Sequence, residues 1–196
     1  MIMTHYFTNE ENLKSEIKKV NVAIDDVNYY FYTDNGVFSK GRLDFGTELL
    51  LNTFQYGYPQ GKHLLDIGCG CGPIGIYASL LGFDVDMSDV NKRAIHLSKM
   101  SLKEQGLKAN VFESDAYEKI NDKYDYIISN PPIRVGKEKL YEIIMNAKKY
   151  LKENGELWIV VRKQQGAESL IRDMKEVYDK VEIVEKKKGY YIIKAC

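Results

Sequence analysis

The chain is poor in cysteine, histidine and proline, with three, three and four in 196 residues. Cys69 and Cys71 form a C-x-C, and Cys196 stands alone. No second Cys or His pair lies at metal-ligand spacing, and His5, His63 and His96 are scattered. This argues against a disulfide framework and against a zinc site, so no metal is implied and a reducing cytoplasm fits. Neither sign of charge is in excess, with 28 basic and 28 acidic residues. The first hundred residues carry 9 basic against 12 acidic side chains and the remainder 19 against 16, an imbalance too small to name a partner. No apolar run approaches the length of a membrane span, and the start does not read as a secretory signal, so no membrane association is expected. Repeats and low-complexity tracts are absent. What the chain does have is 44% apolar residues, 15 of its residues being tyrosine, enough to build one domain with a sizeable core.

From residue 61 onward, strand and helix patterns alternate. "KHLLDIG" reads as a buried strand and "PIGIYASLLG" as a short helix ending at Gly82. "FDVDMSDV" is a second strand, followed by a helix that Asn91 caps and Gly106 ends. "KANVFESD" and "YDYIISN" are further strands. The next helix places Leu140, Ile143, Ile144, Ala147 and Leu151 on one face and stops at Asn154-Gly155. "ELWIVV" is a fifth strand, "AESLIRDMKEVY" a helix, and "KVEIVEKKKGYYIIKA" a closing hairpin around Lys188-Gly189. This order predicts a doubly wound α/β fold whose mostly parallel sheet is covered on both faces, with the hairpin as an antiparallel edge. Residues 1–60 differ: a weak helix, strands "VNVAI" and "VNYYFYT", a turn at Asp34-Asn35-Gly36, and a helix over "GTELLLNTF". They predict an N-terminal extension packed on a core domain of residues 61–196.

The stretch "HLLDIGCGCGPIG", residues 63–75, carries four glycines. In a parallel α/β sheet the first strand-to-helix turn lies at the ligand edge, and Gly68, Gly70 and Gly72 occupy that turn. "GCGPIG" also fits a dinucleotide fingerprint. Two neighbours argue against a pyrophosphate. Asp66 ends the strand with a carboxylate at the mouth of the loop, where it would repel a pyrophosphate, and Pro73 removes an amide N–H where a phosphate needs one. A ligand with a cationic amino group and no phosphate fits better, and S-adenosylmethionine is such a ligand. Asp89 ends the second strand, placed for ribose hydroxyls, and Asp115 ends the third, placed for an exocyclic adenine amine. Singly, each aspartate could equally be a helix cap or a solvated turn.

The fourth strand runs into Asn130-Pro131-Pro132. Two prolines remove two donors and stiffen the turn, so acceptors remain: the Asn130 side-chain oxygen and the Pro131 carbonyl. That suits an NH2 group. A rigid strand-ending turn is the alternative.

Together "DIGCGCG", "SDVN", "ESDA" and "SNPPIR" resemble a class I S-adenosylmethionine-dependent methyltransferase with a seven-stranded Rossmann-like sheet. "GVFSKGRLDFGTELLL" and "GYYIIKA" sharpen the resemblance toward small-subunit rRNA guanine-N2 methyltransferases of the C type in compact single-domain form. The resemblance implies methyl transfer to an exocyclic amine, with structured RNA, small-subunit rRNA or the small ribosomal subunit, as partner. Adenine N6, protein glutamine N5 or a small molecule are the alternative acceptors, and a non-catalytic cofactor-binding module is a further one. It implies that Asp66, Gly68 and Gly70 hold the methionine portion, Asp89 and Val90 the ribose, and Asp115 and Ala116 the adenine. Asn130, Pro131, Pro132 and Ile133 form the catalytic turn, while Phe38, Asp44 and Gly46 close over the cofactor. Phe38 is equally readable as core, and Gly46 as a residue that merely precedes a helix. Family members often place Tyr or Phe after the prolines to stack on the base; here it is Ile133, so stacking must come from elsewhere. Arg134, Lys137 and Arg162, with Lys139 and Lys163, lie on the ligand edge as candidate RNA contacts or as solvated surface.

Overall fold

The structure is a computed structural model that describes residues 14–38, 41–131 and 136–196. Seven strands form one sheet in the order β5-β4-β3-β6-β7-β9-β8. β3 (His63–Ile67), β4 (Asp84–Asp89), β5 (Asn110–Glu113), β6 (Tyr124–Ser129) and β7 (Leu151–Arg162) are parallel. β8 (Val181–Lys187) and β9 (Tyr190–Ala195) are the terminal hairpin, and β9 is antiparallel to both of its neighbours. Lys188 and Gly189 both adopt positive φ, 49° and 79°, as a tight two-residue hairpin turn demands.

The hairpin adds the expected antiparallel edge, with its two strands in reversed spatial order. Its second strand, β9, inserts between β7 and β8, and β8 forms the edge. The physical reason is burial. Tyr191, Ile192, Ile193 and Ala195 are buried, whereas β8 is charged and mostly exposed. The apolar strand takes the interior position and the lysine-rich one protects the rim.

Both sheet faces are covered, so interior strands alternate between two cores. Trp158 and Val160 of β7 face a core closed by α1 (Phe45–Thr53), α2 (Pro73–Leu81) and α3 (Lys92–Glu104). Leu157, Ile159 and Val161 face the other, closed by α4 (Gly136–Tyr150) and α5 (Ala167–Met174). Asn91 caps α3 by accepting from Arg93 and Ala94 N–H, as its position predicts. Leu140, Ile143, Ile144 and Ala147 are the buried face of α4, but Leu151 belongs to β7, where it pairs with Tyr124. α5 stops at Met174, short of the predicted Tyr178.

Before the sheet, β1 (Lys18–Ile24) and β2 (Val27–Thr33) make an antiparallel pair. The predicted weak helix is overturned over residues 14–19: 14–17 have no regular structure, and Lys18 already pairs with Thr33. Alternation decides it, because Val20, Val22 and Ile24 point inward with period two. The free edge of β2 is held by α3 side chains. Tyr32 N–H donates to Ser101 Oγ at 3.0 Å, and Gln105 both accepts from Tyr30 N–H at 3.2 Å and donates to its carbonyl at 2.9 Å. Among the described residues, no helix is long and apolar enough to cross a membrane.

Candidate active site

The strand order reverses between β3 and β6, which places the ligand crevice beyond their C-terminal ends. Gly68, Gly70 and Gly72 follow β3 with φ of 70°, 54° and 84°, a region that side chains with a Cβ rarely adopt. The loop glycines divide into two kinds. A Cβ on Gly70 would meet nothing within 4 Å, so the loop is open to a ligand there. A Cβ on Gly72 or Gly75 would strike Met87 at 2.6 and 2.5 Å, so those two glycines serve helix-to-sheet packing. Cys69 and Cys71, between them, are buried free thiols.

Asp66 is buried behind this loop rather than at its mouth. One carboxylate oxygen accepts the Gly75 N–H at 2.9 Å, capping α2, whose own N-cap, Gly72, has no side chain to do so. The other oxygen is buried with no hydrogen-bond partner among the described residues. Burial pushes the Asp66 carboxyl up to about 8, with the neighbouring Asp89 charge adding to the rise against the Gly75 N–H. The folded chain therefore holds a proton on Asp66 between its ordinary 3.8 and about 8, where the unfolded chain has lost it. Stability contributed by that proton declines as pH rises through the window. Asp66→Asn removes the slope, so its Tm relative to the wild type should grow from pH 4 to pH 8 and level off above. A flat difference would show that Asp66 is already ionised in the folded protein.

Asp89 accepts the Gly70 N–H at 2.8 Å and the Asn91 N–H at 2.8 Å, and thus ties the loop to the end of β4. Burial raises its pKa even so. Val90 follows at the turn into α3, partly exposed. Asp115 lies two residues beyond β5, and its carboxylate is 54% exposed and bridged by Lys139 Nζ at 2.7 Å. Lys139 also holds Glu142 at 2.7 Å, so both partners raise its pKa, Asp115 the more. Ala116 is buried with φ of 44°, a conformation costly for a non-glycine residue.

Asn130 follows β6, and its amide is oriented by α1, whose residues are 83 and 86 positions earlier. Nδ2 donates to Asp44 Oδ2 at 3.0 Å and to Thr47 Oγ1 at 2.9 Å. A carboxylate only accepts, so the amide nitrogen must face Asp44, and the oxygen faces the other way. No described residue donates to that oxygen. Asp44 is also the N-cap of α1, accepting the Thr47 N–H at 3.2 Å. Gly46 is buried there because a Cβ would stand 2.9 Å from both Asp44 Oδ2 and Tyr190 Cε1. Asp44 and Gly46 thus stand on the Asn130 side of the crevice. Thr47 was not legible as a partner of Asn130, although the D-F-G-T spacing of a helix start carries a signal.

Phe38 is 44% exposed, which removes the core reading of it. Pro131 is buried; Pro132, Ile133 and Arg134 lie outside the described residues. Lys137 Nζ stands 5.0 Å from the Tyr141 ring centroid on α4, and Lys163 pairs with Glu168 at 3.7 Å. Arg162 ends β7 with its guanidinium 4.8 Å from the Tyr190 ring centroid.

The residues fit S-adenosylmethionine: an open glycine turn at Gly70, the Asp89 carboxylate tied to it, and an orphaned buried Asp66 oxygen that a cationic group beside it would draw into the ionised form. The pattern of the methyltransferase small domain family matches residues 28–194. YbxB of Bacillus subtilis is 39% identical over 196 residues, covering 97% of each chain. Ribosomal RNA small subunit methyltransferase C of Pasteurella multocida is 42% identical over 135 residues, 66% of this chain and 40% of its own length. The T. thermophilus 16S rRNA N2 G1207 methyltransferase RsmC, solved with AdoMet and guanosine, shares the fold with a TM-score of 0.84 at 24% identity, over 93% of this chain and 51% of that one. The chain thus spans about half or less of the rRNA methyltransferases it matches. It belongs to the methyltransferase small domain family.

Proposed function

We propose that this protein methylates an exocyclic amino group, N2 of a guanine in small-subunit rRNA. The observation that carries the reading is the Asn130 amide, whose nitrogen is held by Asp44 and Thr47 so that its oxygen is left to accept. A guanine amine donates two hydrogens and has a lone pair delocalised into its ring. Acceptance of those hydrogens by Asn130 Oδ1 and the Pro131 carbonyl would favour pyramidal nitrogen and stabilise positive charge as it develops there. Bound in the crevice, S-adenosylmethionine supplies an already activated methyl for in-line displacement by that nitrogen. The chain's task is then positioning, and no strong base is needed, because the product amine can lose its proton after transfer.

In this reading Asp66, Gly68 and Gly70 hold the methionine portion, Asp89 and Val90 the ribose, and Asp115 with Ala116 the adenine. Phe38 closes over the crevice. Lys137, Arg162 and Arg134 meet RNA, and residues 1–60 act as an extension of the catalytic domain 61–196. The names of the relatives, which include rRNA methyltransferases, support RNA as the substrate class. The target base must be unpaired or splayed out to reach the turn.

The test is methyl transfer from labelled cofactor to naked rRNA, small ribosomal subunits and protein extract, followed by nucleoside analysis. N2-methylguanosine is expected. N6-methyladenosine, or label only in protein, would overturn the assignment. Asp89→Ala should weaken cofactor binding by about 1.5–3 kcal/mol, the range for a hydrogen bond to a charged acceptor. Calorimetry giving unchanged affinity would leave Asp89 as a tie for the glycine loop alone.

A further inference from the structure

Phe45, at the start of α1, and Tyr190, at the start of β9, meet beside the Asn130 turn with ring centroids 5.4 Å apart and planes at 60°. Gly46 fixes their place: the position of its missing Cβ is 2.9 Å from Tyr190 Cε1 and 2.9 Å from the Asp44 oxygen that grips Asn130. Both rings are only half buried, at the ligand edge of the sheet. Each carries a cation over its ring, Arg162 at 4.8 Å from Tyr190 and Lys188 at 4.9 Å from Phe45. Arg162 is the direct cross-strand partner of Tyr190. Neither cation makes an ion pair with a carboxylate of a described residue. Two half-buried rings in contact with each other beside the Asn130 turn, each faced by a cation with no ion-pair partner among the described residues, form one continuous aromatic and cationic surface.

A nucleotide complements that surface on both counts. Its base offers a planar face to an aromatic ring, and its phosphate offers an anion to the cation displaced from it. We propose that Phe45 and Tyr190 are the stacking platform for the target base, and that Arg162 and Lys188 turn from the rings to the flanking phosphates when the base arrives. This rests on the reading of RNA as substrate. It assigns the stacking contact that the residue after the two prolines, an isoleucine, does not offer.

The test uses the full chain with saturating cofactor and two single-stranded RNA nonamers, one with a central guanosine and one abasic at that position. The wild type should bind the guanosine strand on the order of ten- to a hundredfold more tightly, the range for one base stacked on an aromatic side chain. Tyr190→Leu should erase the difference and Tyr190→Phe should keep it, with cofactor affinity reporting that each variant is folded. The double variant Arg162→Gln, Lys188→Gln should weaken both strands alike and flatten the salt dependence. Retention of the base-dependent difference by Tyr190→Leu, or its absence from the wild type, would overturn the platform. Methyl transfer to rRNA is followed in parallel. If the wild type methylates no RNA yet Tyr190→Leu erases the difference, the platform stands and the assignment of rRNA as substrate falls. If rRNA is methylated equally well by both, the platform alone falls.

Discussion

Asn130→Ala is expected to lower the rate of methyl transfer about a hundred- to a thousandfold, corresponding to about 2.7–4 kcal/mol for one preorganised polar group in an active site. The interaction strengthens as charge develops on the attacked nitrogen, so the loss should fall on the chemical step, and cofactor affinity should stay within a few-fold. The fold should survive. Asn130 stands beyond the last residue of β6, and with its side chain gone Asp44 still caps α1 through the Thr47 N–H. Single-turnover assays at saturating cofactor read the chemical step directly. Turnover at the wild-type rate would make Asn130 structural, and amino-group methylation through the N-P-P turn would be abandoned.

Asp44→Ala should lower turnover about ten- to a hundredfold, although Asp44 need not touch the base. The hydrogen bond from Asn130 Nδ2 to a carboxylate is worth about 1.5–3 kcal/mol. More importantly, it is the only one of the two contacts that tells nitrogen from oxygen. Thr47 Oγ1 can accept or donate, so with Asp44 gone the amide can turn over and present its NH2 face to the acceptor amine. Loss of the N-cap should lower stability by about 0.5–2 kcal/mol as well. The two effects separate through Asp44→Asn, which keeps a side-chain oxygen for the cap and for Nδ2. Turnover of that variant should exceed that of the alanine variant, with the KM for RNA little changed in either. Destabilisation of Asp44→Ala with undiminished kcat would show a cap and nothing more.

Elements with strong local signals were legible in the sequence. The alternation after residue 61, the Asn91 cap and the Lys188-Gly189 turn each rest on a few neighbouring residues. Contacts between distant segments were not. Nothing near Asn130 announces that a helix more than eighty residues earlier orients its amide, and nothing near Asp115 announces Lys139. Asp66 was legible as an acid at the loop but not as the cap of α2, because that depends on which face of β3 it occupies. Leu151 shows the limit of periodicity. It continues the apolar spacing of α4, yet pairing with Tyr124 claims it for the sheet. The order of strands within the terminal hairpin is likewise invisible to alternation, which tells inside from outside but not neighbour from neighbour.

The placement of β9 inside the sheet governs the order in which the molecule can be completed. Translation delivers β7 and β8 before β9, so the strand that lies between those two arrives after both of its neighbours. Until it docks, Trp158 and Val160 on one face and Ile159 and Val161 on the other border an open seam, and β8 has no partner. The glycine loop, Asp66 and Asp89 are all earlier, on strands whose parallel pairings do not involve the hairpin. A growing chain can therefore assemble the glycine-loop half of the crevice before the half that holds Asp44 and Gly46 against Tyr190. Closure of the seam and arrival of Tyr190 beside Gly46 are one event, so the Asp44 and Asn130 side of the crevice is completed only when β9 has docked.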